Sequence, residues 1–103
     1  MKKSGCEIIS SDHGFIVWRV VGTEAEIITI GVHPEHRSAG IAAAILALAE
    51  NDMKKSGAES IFLEVAADNR PARKLYENQG YVQIGLRPKY YAGVDAIIMK
   101  KVL

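Results

Sequence analysis

What the chain lacks narrows it first. It has one cysteine, Cys6, so no internal disulfide can form, and a reducing compartment is expected. Neither sign of charge is in surplus. Thirteen Lys and Arg against twelve Asp and Glu leave +1, which disfavours nucleic acid or a charged membrane surface as the primary ligand. No apolar run approaches the roughly 20 residues that cross a bilayer; the most apolar helical stretch is Ile41 to Ala49. Lys2 and Lys3 have no apolar segment behind them, so the start does not read as a signal peptide. Linkers rich in Pro, Gly or Ser, low-complexity tracts and internal repeats are missing too. What is present is an ordinary globular balance, 49% apolar and 24% charged, in 103 residues. A chain of this size has room for one core. The expectation is a single domain over residues 1–103, soluble and cytoplasmic.

Periodicity then divides the chain. Glu7 to Ser10 reads as a short strand, and Asp12-His13-Gly14 as a turn. Phe15 to Val21 is rich in β-branched and aromatic residues and predicts a second strand. Gly22-Thr23 turns the chain into a third, Glu26 to Val32, in which Gly31 points to a bulge or to close approach of a ligand. After His33-Pro34, the spacing of Ile41, Ala42, Ile45, Leu46, Leu48, Ala49 and Met53 predicts a helix over Gly40 to Ser56. Gly57 stops it, and Lys54 and Lys55 suit the negative end of its dipole. Ser60 to Val65, apolar on both faces, reads as a buried parallel strand. A second helix is expected from Arg70 to Gln79, with Asn69 as its cap, Pro71 in its first turn and Gly80 as its stop. Tyr81 to Leu86 and Asp95 to Lys101 close the chain as strands around a loop from Arg87 to Gly93. The fold class is α/β (α+β): a mixed β-sheet with two crossover helices in the order β-β-β-α-β-α-β-β.

In such sheets ligands collect beyond the carboxyl ends of the strands. Arg37-Ser38-Ala39-Gly40-Ile41-Ala42 falls there, at the start of the first helix. Its unpaired N–H groups and the positive dipole end suit a pyrophosphate, its small residues allow close approach, and Arg37 adds charge. A plain helix start would look the same, so the loop by itself decides nothing. Glu64 is a carboxylate among Ile61, Phe62, Leu63 and Val65. Two readings stand: a general base whose partial burial raises its pKa, or a strand glutamate in an ion pair.

Arg37-x-x-Gly40-x-Ala42 after Ile30-Gly31-Val32 resembles the acetyl-CoA pyrophosphate loop of the GCN5-related N-acetyltransferases (GNAT family). Leu63-Glu64-Val65, Asn69 and Leu75-Tyr76-Glu77-x-x-Gly80-Tyr81 are similar to that family's second half. More narrowly, Leu-Glu-Val, the pair Tyr90-Tyr91 and the ending Asp95-Ala96-Ile97-Ile98-Met99 resemble the RimI-type ribosomal-protein-alanine N-acetyltransferases. The resemblance runs from about Phe15 to the C-terminus. It implies a GNAT fold with acetyl-CoA as co-substrate and a primary amine as acceptor, most similarly the N-terminal alanine of a ribosomal protein. By the same resemblance, the backbone of Ile30, Gly31 and Val32 would pair with the pantetheine arm like an added strand, and Arg37, Ser38, Ala39, Gly40, Ile41 and Ala42 would hold the pyrophosphate. Asn69 would bond the pantetheine, though a helix cap explains it equally. Tyr76 would be the acid that protonates the departing thiolate, where it could otherwise be a core aromatic. Glu64 would remove the ammonium proton. An α-amine, with a reference pKa about 2.5 units below that of lysine, is about 3.5 kcal/mol easier to deprotonate and suits a modest base.

The remaining signals carry less. Cys6 has no base or helix terminus beside it. His33 and His36 share a loop without a third ligand, so no metal is expected. Lys2-Lys3, Lys54-Lys55 and Lys100-Lys101 read as solvated charge, and Trp18 as core or interface. Two departures from the family are visible. Ala42 and Ala43 stand where its loop carries glycine and more basic residues, and the strand and two helices with which members begin have no room here. Three strands apolar on both faces then ask for a second subunit as cover, the alternative expectation being a truncated relic of the family. The rival expectations are a non-catalytic acetyl-CoA-binding module and a GNAT enzyme acting on a small-molecule amine.

Overall fold

The computed structural model describes residues 5–33 and 40–103. Six strands and two helices follow one another as β1 (Glu7–Ser10), β2 (Gly14–Val21), β3 (Glu24–Val32), α1 (Ile41–Lys55), β4 (Ser60–Ala66), α2 (Arg70–Asn78), β5 (Val82–Tyr91) and β6 (Val94–Val102). This is the element order expected from the sequence. The strands form one mixed sheet in the order β1-β2-β3-β4-β6-β5. β3 and β4 are parallel, and every other neighbouring pair is antiparallel.

Both crossovers, β3 to β4 through α1 and β4 to β5 through α2, advance across the sheet in the same direction. Right-handed connections therefore lay both helices on one face. The core sits there. Ile45, Leu46, Ala49 and Met53 of α1 and Tyr76 of α2 share one buried cluster with Ile16, Trp18, Ile27, Ile61, Leu63, Val65 and Met99 of the strands. The opposite face has no helix among the described residues and leaves Ile8, Phe15, Val21, Val82 and Val102 exposed. The cover that the two-sided apolar strands ask for is present on one side only. Within α1, Leu48 belongs to the expected apolar face yet is exposed.

A partly buried polar knot joins α1 to the far end of the sheet. The Tyr81 hydroxyl donates to Glu50 Oε2 (2.6 Å), and Lys101 Nζ donates to Glu50 Oε1 (2.8 Å) while lying over the Tyr81 ring. Each polar atom of Glu50 is thereby satisfied where water is scarce.

The expected loop from Arg87 to Gly93 is instead almost all strand. Ala92 (φ 46°) and Gly93 (φ 88°) are both left-handed, the geometry of a two-residue hairpin turn, so β5 and β6 run up to it. Between Arg87 and Tyr91 the register slips. There Lys89 takes φ 53° and its N–H donates to Asp95 Oδ1 at 2.8 Å. Pro88 is accommodated because β5 is an edge strand and the slip spares it a ladder bond.

The polar knot makes a stability prediction. Glu50→Ala strands the Lys101 ammonium and the Tyr81 hydroxyl and should cost about 3 kcal/mol in urea denaturation. Glu50→Leu combined with Lys101→Met should recover part of that loss. An unchanged midpoint for Glu50→Ala would show that the knot contributes nothing.

Candidate active site

The site begins with a fault in strand pairing. β3 and β4 are registered only over Glu24–Glu26 and Ser60–Phe62. One residue further on, the β2–β3 register shifts: Trp18 faces Ile27 and Val17 faces Thr29, so Ile28 is the extra residue of a β-bulge. A bulge bends and twists its strand. From there β3 stays with β2 and parts from β4, whose own ladder continues with β6 as far as Ala66.

The parting opens a cleft of about 590 Å³. Ile30, Gly31 and Val32 form one wall, and Asn69, Pro71, Ala72 and Leu75 the other. Gly40, Ile41, Ala42 and Ala43 close the mouth. α1 begins there with Gly40 in a left-handed conformation (φ 78°) and no capping side chain. Ala44 N–H is bonded to the Gly40 carbonyl, and helix geometry leaves the N–H groups of Ile41, Ala42 and Ala43 without intrahelical acceptors. Three amides at the positive end of a 15-residue helix, flanked by alanines, make an anion seat at the cleft mouth. On the far wall, Asn69 Oδ1 accepts from Ala72 N–H at 3.2 Å, so Asn69 caps α2 and lines the cleft at once. The cap, one of the two readings of Asn69, is what the structure contains, and the same residue lines the cleft.

Of the residues expected to hold the cofactor, Ile30, Gly31, Val32, Gly40, Ile41, Ala42 and Asn69 come together around this cleft. Arg37, Ser38 and Ala39 lie outside the described residues, as does His36. Ala43, Pro71, Ala72 and Leu75 line it as well. The periodicity that marks Leu75 as helix interior could have flagged it; for the others the sequence holds no signal. Gly31 needs a different account from a bulge of its own. The bulge is at Ile28, and the Phe15 ring lies where a Gly31 Cβ would be, its Cε1 at 2.6 Å. A side chain here would have to displace that ring.

Tyr76 follows Leu75 but does not line the cleft. Its ring is buried and meets Tyr81 edge-on, with centroids 5.6 Å apart. Its hydroxyl makes no hydrogen bond to the described residues, and burial pushes its pKa up to about 12, so it stays protonated at neutral pH. Glu64 points the other way, to the face without helices. Its register partner in β6 is Ile98, and Arg87 Nε reaches its Oε2 at 2.9 Å. The ion pair, one of the two readings of Glu64, is therefore what the structure contains. Arg87 also lies over the Tyr90 ring, 5.2 Å from its centroid. Arg87 was missed as a site residue because the segment reads as a loop; strict alternation from Val82 would have turned it to the helix face, and the register shift between Gln83 and Gly85 is what brings Arg87 and Glu64 to one face. Among the described residues there is no cluster of metal-ligating side chains and no helix long and apolar enough to cross a membrane.

An extended ligand with an anionic end fits this cleft. It offers a stretch of β3 that has parted from β4, small side chains and a helix start for the anion.

Comparison with known proteins agrees with that geometry. Residues 7–81 match the acetyltransferase (GNAT) family. The [ribosomal protein bS18]-alanine N-acetyltransferase of Escherichia coli (strain K12) is 35% identical over 89 residues, 82% of this chain and 60% of that protein. The crystal structure of the ribosomal-protein-S18-alanine N-acetyltransferase from Escherichia coli superposes with a TM-score of 0.86 at 29% identity, over 98% of this chain and 71% of that one. The NatC complex bound to Gag peptide and CoA contains a chain that matches with a TM-score of 0.82 at 28% identity, over 87% of this chain and 60% of that one. The chain spans between about a fifth and three fifths of the length of the first curated relatives it matches.

Proposed function

This chain belongs to the acetyltransferase (GNAT) family, and from that premise we propose that it moves an acetyl group from acetyl-CoA to the α-amine of a peptide or protein N-terminus. The observation that carries the reading is the parting of β3 from β4 beyond Glu26 and Phe62, with the first amides of α1 at its mouth. A relative acting on the alanine terminus of a ribosomal protein makes such a terminus the favoured acceptor, and a neighbour solved with both a peptide and CoA supports the pairing of ligands.

Bound acetyl-CoA supplies an acetyl group activated as a thioester. The chain's own residues divide the rest. Ile41, Ala42 and Ala43 donate N–H groups to the diphosphate, a role that the sequence resemblance extends to Arg37, Ser38 and Ala39. Ile30, Gly31 and Val32 offer their strand edge to the pantetheine arm, and Asn69 faces it from the other wall. Backbone N–H groups of the bulged strand polarise the carbonyl. Glu64 receives the proton of the attacking ammonium, directly or through water, from the face without helices. Tyr76 does not line the cleft in this structure and keeps a proton on Oη, which it gives to the leaving sulfur only if the bound thioester reaches it. Placing the two on opposite sides of the sheet lets acceptor and cofactor enter from different directions.

A homodimer completes the reading. Phe15, Val21 and Val102 on the uncovered face are the apolar side chains a second copy would bury.

Two measurements follow. Steady-state thiol release with an Ala-initiated peptide should lose about 100-fold or more in kcat for Glu64→Gln and for Tyr76→Phe, with CoA affinity by calorimetry unchanged; wild-type turnover in either removes that residue's role. Sedimentation equilibrium should give a dimer that Phe15→Lys dissociates, and a monomer at all concentrations would rule the dimer out.

A further inference from the structure

Resting on the reading of Glu64 as the acceptor's proton partner, we propose that Arg87 selects α-amines over other amines by holding the carbonyl oxygen of the acceptor's first residue. Arg87 stands on β5 opposite Ala96 of β6. Ala96 is fully buried and presents only a methyl group, so the long arginine side chain crosses β6 to reach Glu64 on β4. In that contact Nε meets Oε2. The four Nη hydrogens have no acceptor among the described residues, and the guanidinium rests over the Tyr90 ring, which steadies its plane. Its side chain is about half exposed, on the same face as Glu64. A planar fork with unspent donors therefore sits immediately beside the carboxylate that meets the amine.

An α-amine carries its own carbonyl oxygen three bonds away, within about 3 Å. A nitrogen held by Glu64 places that oxygen in reach of the neighbouring Nη groups, and a charge-assisted hydrogen bond forms. A lysine side chain or a simple alkylamine brings no acceptor to that point and leaves the fork unmatched. Sites that hydrogen-bond one substrate group discriminate strongly against analogues lacking it. The ion pair and the selectivity are thus two uses of one guanidinium.

The test compares wild type, Arg87→Met and Arg87→Lys on three acceptors. These are a lysine-free Ala-initiated peptide, an N-terminally acetylated peptide with one lysine, and isopropylamine, which keeps the amine-bearing carbon without the carbonyl. Wild type should favour the Ala-initiated peptide in kcat/KM, and Arg87→Met should shrink that preference by about tenfold or more. Arg87→Lys keeps a cation beside Glu64 but not the fork, so it should retain turnover of isopropylamine and still lose selectivity. An equal fall for all three acceptors would mean that Arg87 acts only through Glu64, and would overturn the proposal. Should wild type acetylate no amine, the proposed function fails, and calorimetry in the presence of CoA decides this inference alone. The Ala-initiated peptide must then bind Arg87→Met more weakly than wild type; equal affinity contradicts it.

Discussion

Past Glu26, β3 gives up its hydrogen bonds to β4, and the rest of the site depends on that loss. A parallel pair inside a sheet ordinarily stays laddered, because an unpaired backbone group away from water is costly. Here the extra residue at Ile28 turns β3 toward β2, while β6 holds β4 from the other side. Neither strand can follow the other. The opening is held by ladders on its outer flanks, so it is a standing feature of the sheet and needs no ligand to create it. An extended ligand entering it meets backbone already oriented for a strand, which lowers the ordering cost of binding.

The helices turn that opening into a site with two ends. α1 must start just beyond β3, and its uncapped first turn comes to lie at the mouth. Gly14 makes the packing close: a Cβ there would stand 2.5 Å from the Gly31 carbonyl oxygen and 3.1 Å from Ile45 Cδ1. α2 begins at Asn69, where one side chain caps the helix and lines the cleft. Because both right-handed crossovers put their helices on one face, the other is left to Glu64, Arg87, Tyr90 and a set of apolar side chains.

Much of this was legible in the residues. Helical spacing from Ile41 to Met53, the stops at Gly57 and Gly80 and the Asn69-Arg70-Pro71 start of α2 are local signals, and local structure obeys them. The ordered motifs from Ile30 to Asn69 named the cleft walls because each falls at a strand–helix junction, where topology leaves little freedom. The parting itself was not legible. Ile28 is an ordinary strand residue, and nothing in Glu-Ile-Ile-Thr-Ile marks one of its isoleucines as extra. Arg87 was hidden for a related reason: Pro88 and the Ala92-Gly93 turn suggest a loop, while the sheet extends through them by slipping register. The ion pair at Glu64 needs that slip together with the β4-β6-β5 order, and pairing across three strands is beyond a one-dimensional pattern.

The claim on which all else rests is that the cleft receives coenzyme A along β3 with its diphosphate at the start of α1. Backbone amide shifts of the labelled protein during a CoA titration test it most directly. The account predicts saturable shifts concentrated at Ile30 and Gly31, at Ile41, Ala42 and Ala43, and at Asn69, with β1 and the β5–β6 turn unmoved. Shifts confined to other surfaces, or none at millimolar CoA, would contradict it.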